Sequence, residues 1–154
     1  MQPEEMSDNI ANDRFADRGV QPIAEGRPKV NDSANRDVLA ELIKREPIFH
    51  RPEFGTTRRD FENMTFETFW EVGASGRRYS REYVMDTLEL RYSQPHEDIW
   101  ETQDFHCVEI ASNNYLITYT LIQGDRVTRR STIWRRCGTD WKIVYHQGTI
   151  VAAD

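Results

Sequence analysis

The stretch "YLITYTLIQGDRVTRRSTIWRRCGTDWKIVYHQGTIV", residues 115–151, decides the fold of this chain. Apolar side chains recur in it with a period of about two, which is typical of β-strands that bury one face. Gly124-Asp125 and Gly138-Thr139 interrupt the alternation and predict short turns. A turn at Asn113-Asn114 joins this stretch to an earlier strand in "DIWETQDFHCVEIA". The sequence therefore predicts an antiparallel meander of four strands.

Helix signals precede the meander. Thr56 or Thr57 can begin a short helix, and Ser80 can cap another in "REYVMDTLELRY", after a strand in "FETFWEV". The earliest helix has four apolar residues on one face, a possible cap at Asp32 or Ser33, and an end at Pro47; the four are Val38, Leu39, Leu42 and Ile43. Helices followed by a meander indicate an α+β layout, in which a curved sheet wraps on helices. Such a fold tends to enclose a cavity for a small ligand.

Residues 1–32 are predicted to be a flexible N-terminal extension. They mix charged residues with Pro, Gly and Asn without a sustained period, so they cannot bury enough apolar surface to offset the entropy of ordering. The alternative is a segment that docks on a partner subunit through Ile10 and Phe15. The folded domain is predicted to span residues 33–154.

Composition narrows the classes of function. The chain of 154 residues has 26 Asp and Glu against 20 Lys and Arg, which makes duplex nucleic acid an unfavourable partner. Cys107 and Cys137 are too few and too far apart for a disulfide framework or a CxxC metal site. No apolar run approaches the roughly 18 residues of a membrane span, and no signal pattern begins the chain. A cytoplasmic protein without a membrane anchor is the expectation.

Several motifs together resemble a known family. "FWEVGASGRRYSREYVMDTL", "YLITYTL", "RRSTIWRR" and "GTDWKIVYHQGT" occur in the order and spacing of the SnoaL-like branch of the nuclear transport factor 2-like superfamily. The most similar subgroup is the domain of unknown function numbered 4440, and the resemblance covers about residues 36–150. It implies a cone-shaped α+β fold, usually dimeric, with three N-terminal helices packed on a curved mixed or antiparallel sheet. It does not imply one chemistry, because the superfamily contains enzymes, binding domains and assembly domains.

The resemblance also implies which sheet face lines the cavity. Related association domains of the superfamily place the faces of Tyr119, Thr132 and His146 inward. Carried over by strand alternation, the predicted ligand-binding residues on these strands are Tyr115, Tyr119, Arg130, Thr132, Trp134 and His146. The opposite face, with Ile133, Trp141, Ile143 and Tyr145, is too apolar for open water and is predicted to form a homodimer.

His146 has two interpretations. A histidine among aromatic neighbours can be a core residue whose ring is satisfied by a tyrosine hydroxyl. The alternative is a catalytic acid or base, since an imidazole titrates near neutral pH. A carboxylate paired with it would favour the second interpretation.

Carboxylates and one tryptophan complete the candidates. Asp104 and His106 lie at i and i+2 on one strand, so they can converge on a ligand, but the charge of "HEDIWETQD" favours a solvated strand or loop. Glu71 and its neighbour Trp70 are candidates for catalysis and ligand binding, but the phase of their strand is ambiguous because Phe69 is also large. Glu46 is expected near the mouth of the cavity.

Other site classes lack their motifs. The sequence contains no GxSxG elbow, HExxH, P-loop or GxGxxG, so neither a metal nor an organic cofactor is predicted. Three hypotheses stay open: a domain that binds a small molecule, a cofactor-independent isomerase, cyclase or dehydratase that uses acid–base chemistry, and a module for protein interaction or assembly.

Overall fold

A computed structural model describes residues 33–152, and the predicted N-terminal extension at residues 1–32 lies outside them. The helices are α1 (Ser33–Ile43), α2 (Arg58–Asn63) and α3 (Arg81–Tyr92), with a 3-10 turn at Pro52–Phe54. The strands are β1 (Thr65–Val72), β2 (Arg78–Ser80), β3 (Glu101–Ala111), β4 (Asn114–Gln123), β5 (Arg126–Cys137) and β6 (Asp140–Ile150).

Two helices begin at the side chains that the sequence indicates. Thr57 caps α2 in a capping box, in which its hydroxyl accepts from the backbone of Asp60 and the Asp60 carboxylate accepts from the backbone of Thr57. Ser80 caps α3 by accepting from the backbone N–H of Tyr83. These contacts satisfy backbone donors that the first turn of a helix leaves without partners.

The meander is present and its turns are short. β3 to β6 pair antiparallel in sequence order, so the four predicted strands are confirmed. Asn113, Gly124 and Gly138 take positive φ values of 60°, 62° and 64°, which lets two-residue turns reverse the chain. The first turn lies at Ser112-Asn113, one residue before the predicted position.

The sheet is mixed and has six strands in the order β2-β1-β6-β5-β4-β3. β1 lies parallel to β6, whereas its partner β2 is antiparallel. The third helix follows β1 and β2 in the chain, so the expectation of three helices at the N-terminal end of the domain is wrong in that respect. The chain passes through α3 to β3 at the opposite edge of the sheet, and the meander then brings β6 back beside β1.

A β-bulge in β6 corrects the predicted face assignment. Ile133 pairs with Tyr145 and Trp134 pairs with Ile143, so Val144 has no partner opposite it. The extra residue reverses the alternation, and Trp141 and Ile143 therefore face inward, where they are 3% and 0% exposed. The prediction that these two residues form a dimer surface is wrong, because they belong to the core under α1 and α2.

Candidate functional site

A small pocket lies on the inner face of the sheet, between β4, β5 and β6 on one wall and the chain after α1 on the other. Its volume is about 40 Å³, enough for roughly three water molecules. Charged and polar side chains form much of its lining: His50, Glu71, Arg91, Tyr119, Gln123, Arg130 and His146. We call this space the inner pocket.

Glu71 and His146 are neighbours on its floor. β1 runs parallel to β6 with Glu71 in register with His146, and both side chains point inward, 6% and 4% exposed. Burial raises the pKa of Glu71 to about 7, against the opposing charges of Arg130 and Arg91. Burial, with the positive charge of Arg130, holds the pKa of His146 well below its usual value. The floor thus carries a neutral imidazole beside a carboxyl group that titrates near neutral pH.

Arg130 lies over a glycine. It is in register with Gly148 on β6, and a Cβ at Gly148 would come within 2.9 Å of its Nη1 atom. The Arg130 Nε atom donates to the hydroxyl of Thr128 at 2.8 Å, which fixes the guanidinium against the sheet. The absence of a side chain at Gly148 therefore makes the room that Arg130 occupies.

Arg91 reaches the pocket from the other wall, on the last turn of α3. Its Nη1 atom is buried and has no hydrogen-bond partner among residues 33–152. A buried guanidinium N–H without a partner is rare, because it loses its contacts with water and gains none in return.

His146 is held by a hydroxyl and through it by a second carboxylate. Its Nδ1 atom lies 2.8 Å from the Oγ1 atom of Thr132, and the Thr132 hydroxyl also bonds to the carboxylate of Glu46. The pKa of His146 is held well below its usual value, so the ring is neutral and one of its two nitrogens is an acceptor.

Glu46 is fully buried and surrounded by donors. Its carboxylate accepts from the Tyr119 hydroxyl at 2.7 Å, from Trp134 Nε1 at 3.0 Å and from the backbone of Ile48 at 3.1 Å. Burial raises its pKa, while the hydrogen bonds from Thr132 and these groups oppose the rise. Glu46 therefore ties the chain after α1 to strands β4 and β5 through the interior.

A second, apolar pocket lies on the other side of the Glu46 hydrogen bonds. It has a volume of about 70 Å³ and is lined mainly by Ile48, Phe49, Phe61, Met64, Trp134 and Ile143. Trp134 thus contacts this second pocket instead of the inner pocket. The segment from Glu46 to Phe49 divides the interior of the domain into a polar space and an apolar space.

An open groove of about 650 Å³ leads toward the inner pocket. His50 lines both spaces, and its Nδ1 atom lies 2.8 Å from Oδ2 of Asp98 at the boundary. Burial lowers the pKa of His50, and the hydrogen bond with Asp98 opposes that effect. His50 is therefore the side chain that separates the groove from the inner pocket.

The predicted candidates divide between the two faces of the sheet. Glu71, Tyr119, Arg130 and His146 meet at the inner pocket, and Thr132 supports His146 from beside it. Tyr115 also faces inward but packs on Trp141 with ring centroids 5.5 Å apart, away from this pocket.

Trp70 and Asp104 do not face the interior, contrary to the expectation. Trp70 is 44% exposed and lies 4.8 Å from the ring of Tyr145 on the outer face. Asp104 occupies a bulge in β3 with φ at 58°, and its carboxylate lies 3.8 Å from Arg129, which also faces outward. His106 pairs with the outward-facing Thr118. The pair of Asp104 and His106 therefore cannot act on a ligand in the inner pocket.

Sequence reasoning did not identify Arg91 or His50. Arg91 lies in the last turn of α3, where the helix dipole stabilises a positive charge. This local explanation is sufficient, so the sequence does not indicate that Arg91 belongs to a site. His50 lies in an irregular segment without periodicity. Only the tertiary packing of these segments on the sheet brings both residues to the pocket.

Known structures share this architecture. A nuclear transport factor 2-like protein from Cytophaga hutchinsonii superposes with a TM-score of 0.58 at 13% identity, covering 75% of this chain and 98% of that one. A candidate dehydratase of the same family from Streptomyces avermitilis gives 0.60 at 15%, covering 80% and 100%. A candidate ketosteroid isomerase from Parabacteroides distasonis gives 0.56 at 16%, covering 79% and 93%.

No protein-family model and no curated protein matches the sequence. At these identities the structural likeness establishes the fold, which is α+β and nuclear transport factor 2-like. Between residues 33 and 152, no helix has the length and apolar character needed to cross a membrane.

Proposed function

We propose that this protein binds a small molecule in the inner pocket of a nuclear transport factor 2-like domain. The observation that carries the proposal is the lining itself, where Glu71, Arg91 and Arg130 surround a space of about 40 Å³. The motifs that resemble the SnoaL-like branch and the domain of unknown function 4440 support the same proposal. We further propose that the protein is cytoplasmic.

A purely structural core does not require these charges. Apolar residues of similar volume stabilise an interior as well as a buried ion pair does, or better, because ions lose their hydration on burial. Groups with strongly shifted pKa values around a concave space are instead typical of binding and catalytic sites. Glu71, with its pKa raised to about 7, is such a group.

The proposal is tested with three small molecules of similar size: acetate, acetamide and ethylammonium. Each is titrated into the labelled protein while amide and side-chain NMR signals are followed. At least one should shift the signals of Glu71, Tyr119 and His146. Gln123→Trp should abolish these shifts by filling the pocket from its lining, whereas Ile122→Trp, which points to the outer face, should not. If none of the three shifts these signals, the proposal is wrong.

A second candidate function is acid–base catalysis without a cofactor, and Glu71 is the observation that favours it. A carboxyl group with a pKa of about 7 is suited to removing a proton at neutral pH. The neutral imidazole of His146 lies on the same floor and could relay that proton. Exchange of the methyl protons of pyruvate in deuterium oxide, followed by NMR, should be accelerated by the wild type and not by Glu71→Gln. Equal exchange rates with the two proteins would contradict catalysis by Glu71.

We also propose that the protein forms a homodimer through the outer face of the sheet. The residues at this interface differ from those expected, because Trp141 and Ile143 are absent from it and Trp70 is present. The exposed Trp70 packs on Tyr145, and Ile133 lies beside Tyr145 in register. No helix between residues 33 and 152 covers this face, and exposed aromatic rings on an uncovered sheet face are typical of a protein interface. An assembly role for the protein would act through this same surface.

A further inference from the structure

We infer that the inner pocket binds a small carboxylate between the guanidinium groups of Arg91 and Arg130. This inference rests on the proposal that the pocket binds a ligand. It adds the chemical class of that ligand and the two residues that select it.

Arg91 supplies the first argument. Its Nη1 atom is buried without a hydrogen-bond partner in the described part of the chain, and its side chain lines the pocket. Such a donor is satisfied when an acceptor enters the pocket, and an anionic oxygen forms a stronger hydrogen bond with a guanidinium than a neutral oxygen does. The planar fork of an arginine matches the two oxygens of a carboxylate.

Arg130 supplies the second argument from the opposite wall. It stands on β5, whereas Arg91 stands on α3, and both line the same space. The contact with Thr128 and the missing side chain at Gly148 hold the Arg130 guanidinium in a defined place. Two cations presented from facing walls attract a ligand that carries negative charge.

Glu71 lines the pocket with both arginines, but burial raises its pKa to about 7, so below that pH its carboxyl group is mostly neutral and does not take the place of an anionic ligand. The other acids near the pocket already have partners. Glu46 is occupied by Tyr119, Trp134 and two further donors, and Asp98 is bonded to His50. The pocket volume of about 40 Å³ holds roughly three water molecules. Acetate and other short carboxylates are of similar size. A bulky anion does not fit this space without movement of the walls.

The pocket predicts a pH dependence for such binding. The charged or titratable groups that face Glu71 are His50 from the loop, Arg91 from α3, Tyr119 from β4, Arg130 from β5 and His146 from β6. Burial lowers the pKa of His50 and His146, so these rings stay neutral above pH 7. Burial raises the pKa of Glu71 to about 7, and its ionisation places a competing anion beside the two arginines. Carboxylate affinity should therefore fall by up to about tenfold per pH unit above that pKa.

The experiment compares acetate with acetamide, which has nearly the same shape and no charge. Titrations followed by NMR at pH 6.5 should show that acetate binds more tightly. Arg91→Gln and Arg130→Gln should each weaken acetate binding at least about tenfold, as expected for the loss of a charged hydrogen bond. Arg129→Gln, which removes an arginine from the outer face of the same strand, should leave the affinity unchanged.

Two further variants test the site while keeping both arginines, so that weaker binding is not confused with damage to the fold. Gly148→Ala retains both charges but displaces the Arg130 guanidinium, since the new Cβ would lie 2.9 Å from Nη1; acetate should bind more weakly although the amide spectrum of the outer face is retained. Glu71→Gln should make acetate affinity independent of pH between about 6.5 and 8.5.

The possible results distinguish failure of the carboxylate inference from failure of the proposed function. Equal affinities for acetate and acetamide, both lost in Gln123→Trp, would preserve ligand binding and overturn the carboxylate inference. Wild-type acetate affinity in Arg91→Gln would overturn the inference as well. If neither acetate nor acetamide binds, the carboxylate inference is overturned, and if ethylammonium does not bind either, the proposed function is overturned with it.

Discussion

The Nδ1 atom of His146 lies 2.8 Å from the Oγ1 atom of Thr132, on neighbouring strands β6 and β5. The same hydroxyl bonds to Glu46, so a single threonine connects the imidazole of the inner pocket to a buried carboxylate. The family resemblance predicts that Thr132 and His146 share the cavity face. The connection to Glu46 depends on the path of the chain after α1, which no alternation describes.

Thr132→Val should destabilise the protein by about 1–3 kcal/mol, because it leaves Nδ1 of His146 and one lone pair of Glu46 without a partner. The two side chains have nearly the same shape, so the effect reports the hydroxyl. Equilibrium unfolding in urea measures the loss. Thr118→Val on the outer face of β4 is the matched control and should change stability by less than about 0.5 kcal/mol. Equal losses in the two variants would show that the buried hydroxyl has no special role.

Glu46→Ala should cost about 3–5 kcal/mol, since Tyr119, Trp134 and Ile48 would lose their common acceptor in the interior. Glu46→Gln keeps one acceptor oxygen and should lose less. The free energy of unfolding from urea titrations checks both values. A loss in Glu46→Gln as large as that in Glu46→Ala would mean that the negative charge, and not the acceptor geometry, holds the segment.

The outer face should mediate self-association. Trp70 is 44% exposed beside Tyr145, and Ile133 is in register with Tyr145. Trp70→Glu and Ile133→Glu should each shift the wild-type dimer to monomer in light scattering, because a charge would be buried at the interface. Glu67→Gln, an exposed position on β1, should not. A monomeric wild type at micromolar concentration would refute the interface.

The limits of sequence reasoning lie at the bulges and at the contacts between distant segments. Alternation, started from the faces that the family resemblance implies, places Tyr119, Arg130 and His146 on the pocket side. They lie there because β4, β5 and the C-terminal part of β6 pair without interruption. Alternation fails for Trp141 and Ile143, since the unpaired Val144 inverts the phase within a continuous apolar pattern.

The remaining errors have related causes. Phe69 and Trp70 are adjacent and equally large, so size does not reveal that Phe69 is buried and Trp70 exposed. Asp104 adopts a positive φ of 58° in β3, which an aspartate tolerates without leaving a signature in the sequence. Arg91 enters the site only because α3 crosses back over the sheet.

The last prediction concerns the pH dependence of stability through Glu71. Its pKa is about 7 in the folded protein against 4.5 for the free side chain, so the native state binds more protons than the unfolded state between these values. The free energy of unfolding should therefore decrease as the pH rises from about 4.5 to 7 and the contribution should then level off, a total of about 3 kcal/mol from this group. Glu71→Gln cannot ionise, so it should match the wild type near pH 4.5 and be more stable than it by up to about 3 kcal/mol at pH 8. Urea unfolding of both proteins across this range measures the difference, and Glu67→Gln serves as the control on the exposed side of β1. A difference between wild type and Glu71→Gln that does not grow with pH would show that the Glu71 carboxylate is not desolvated in the native protein.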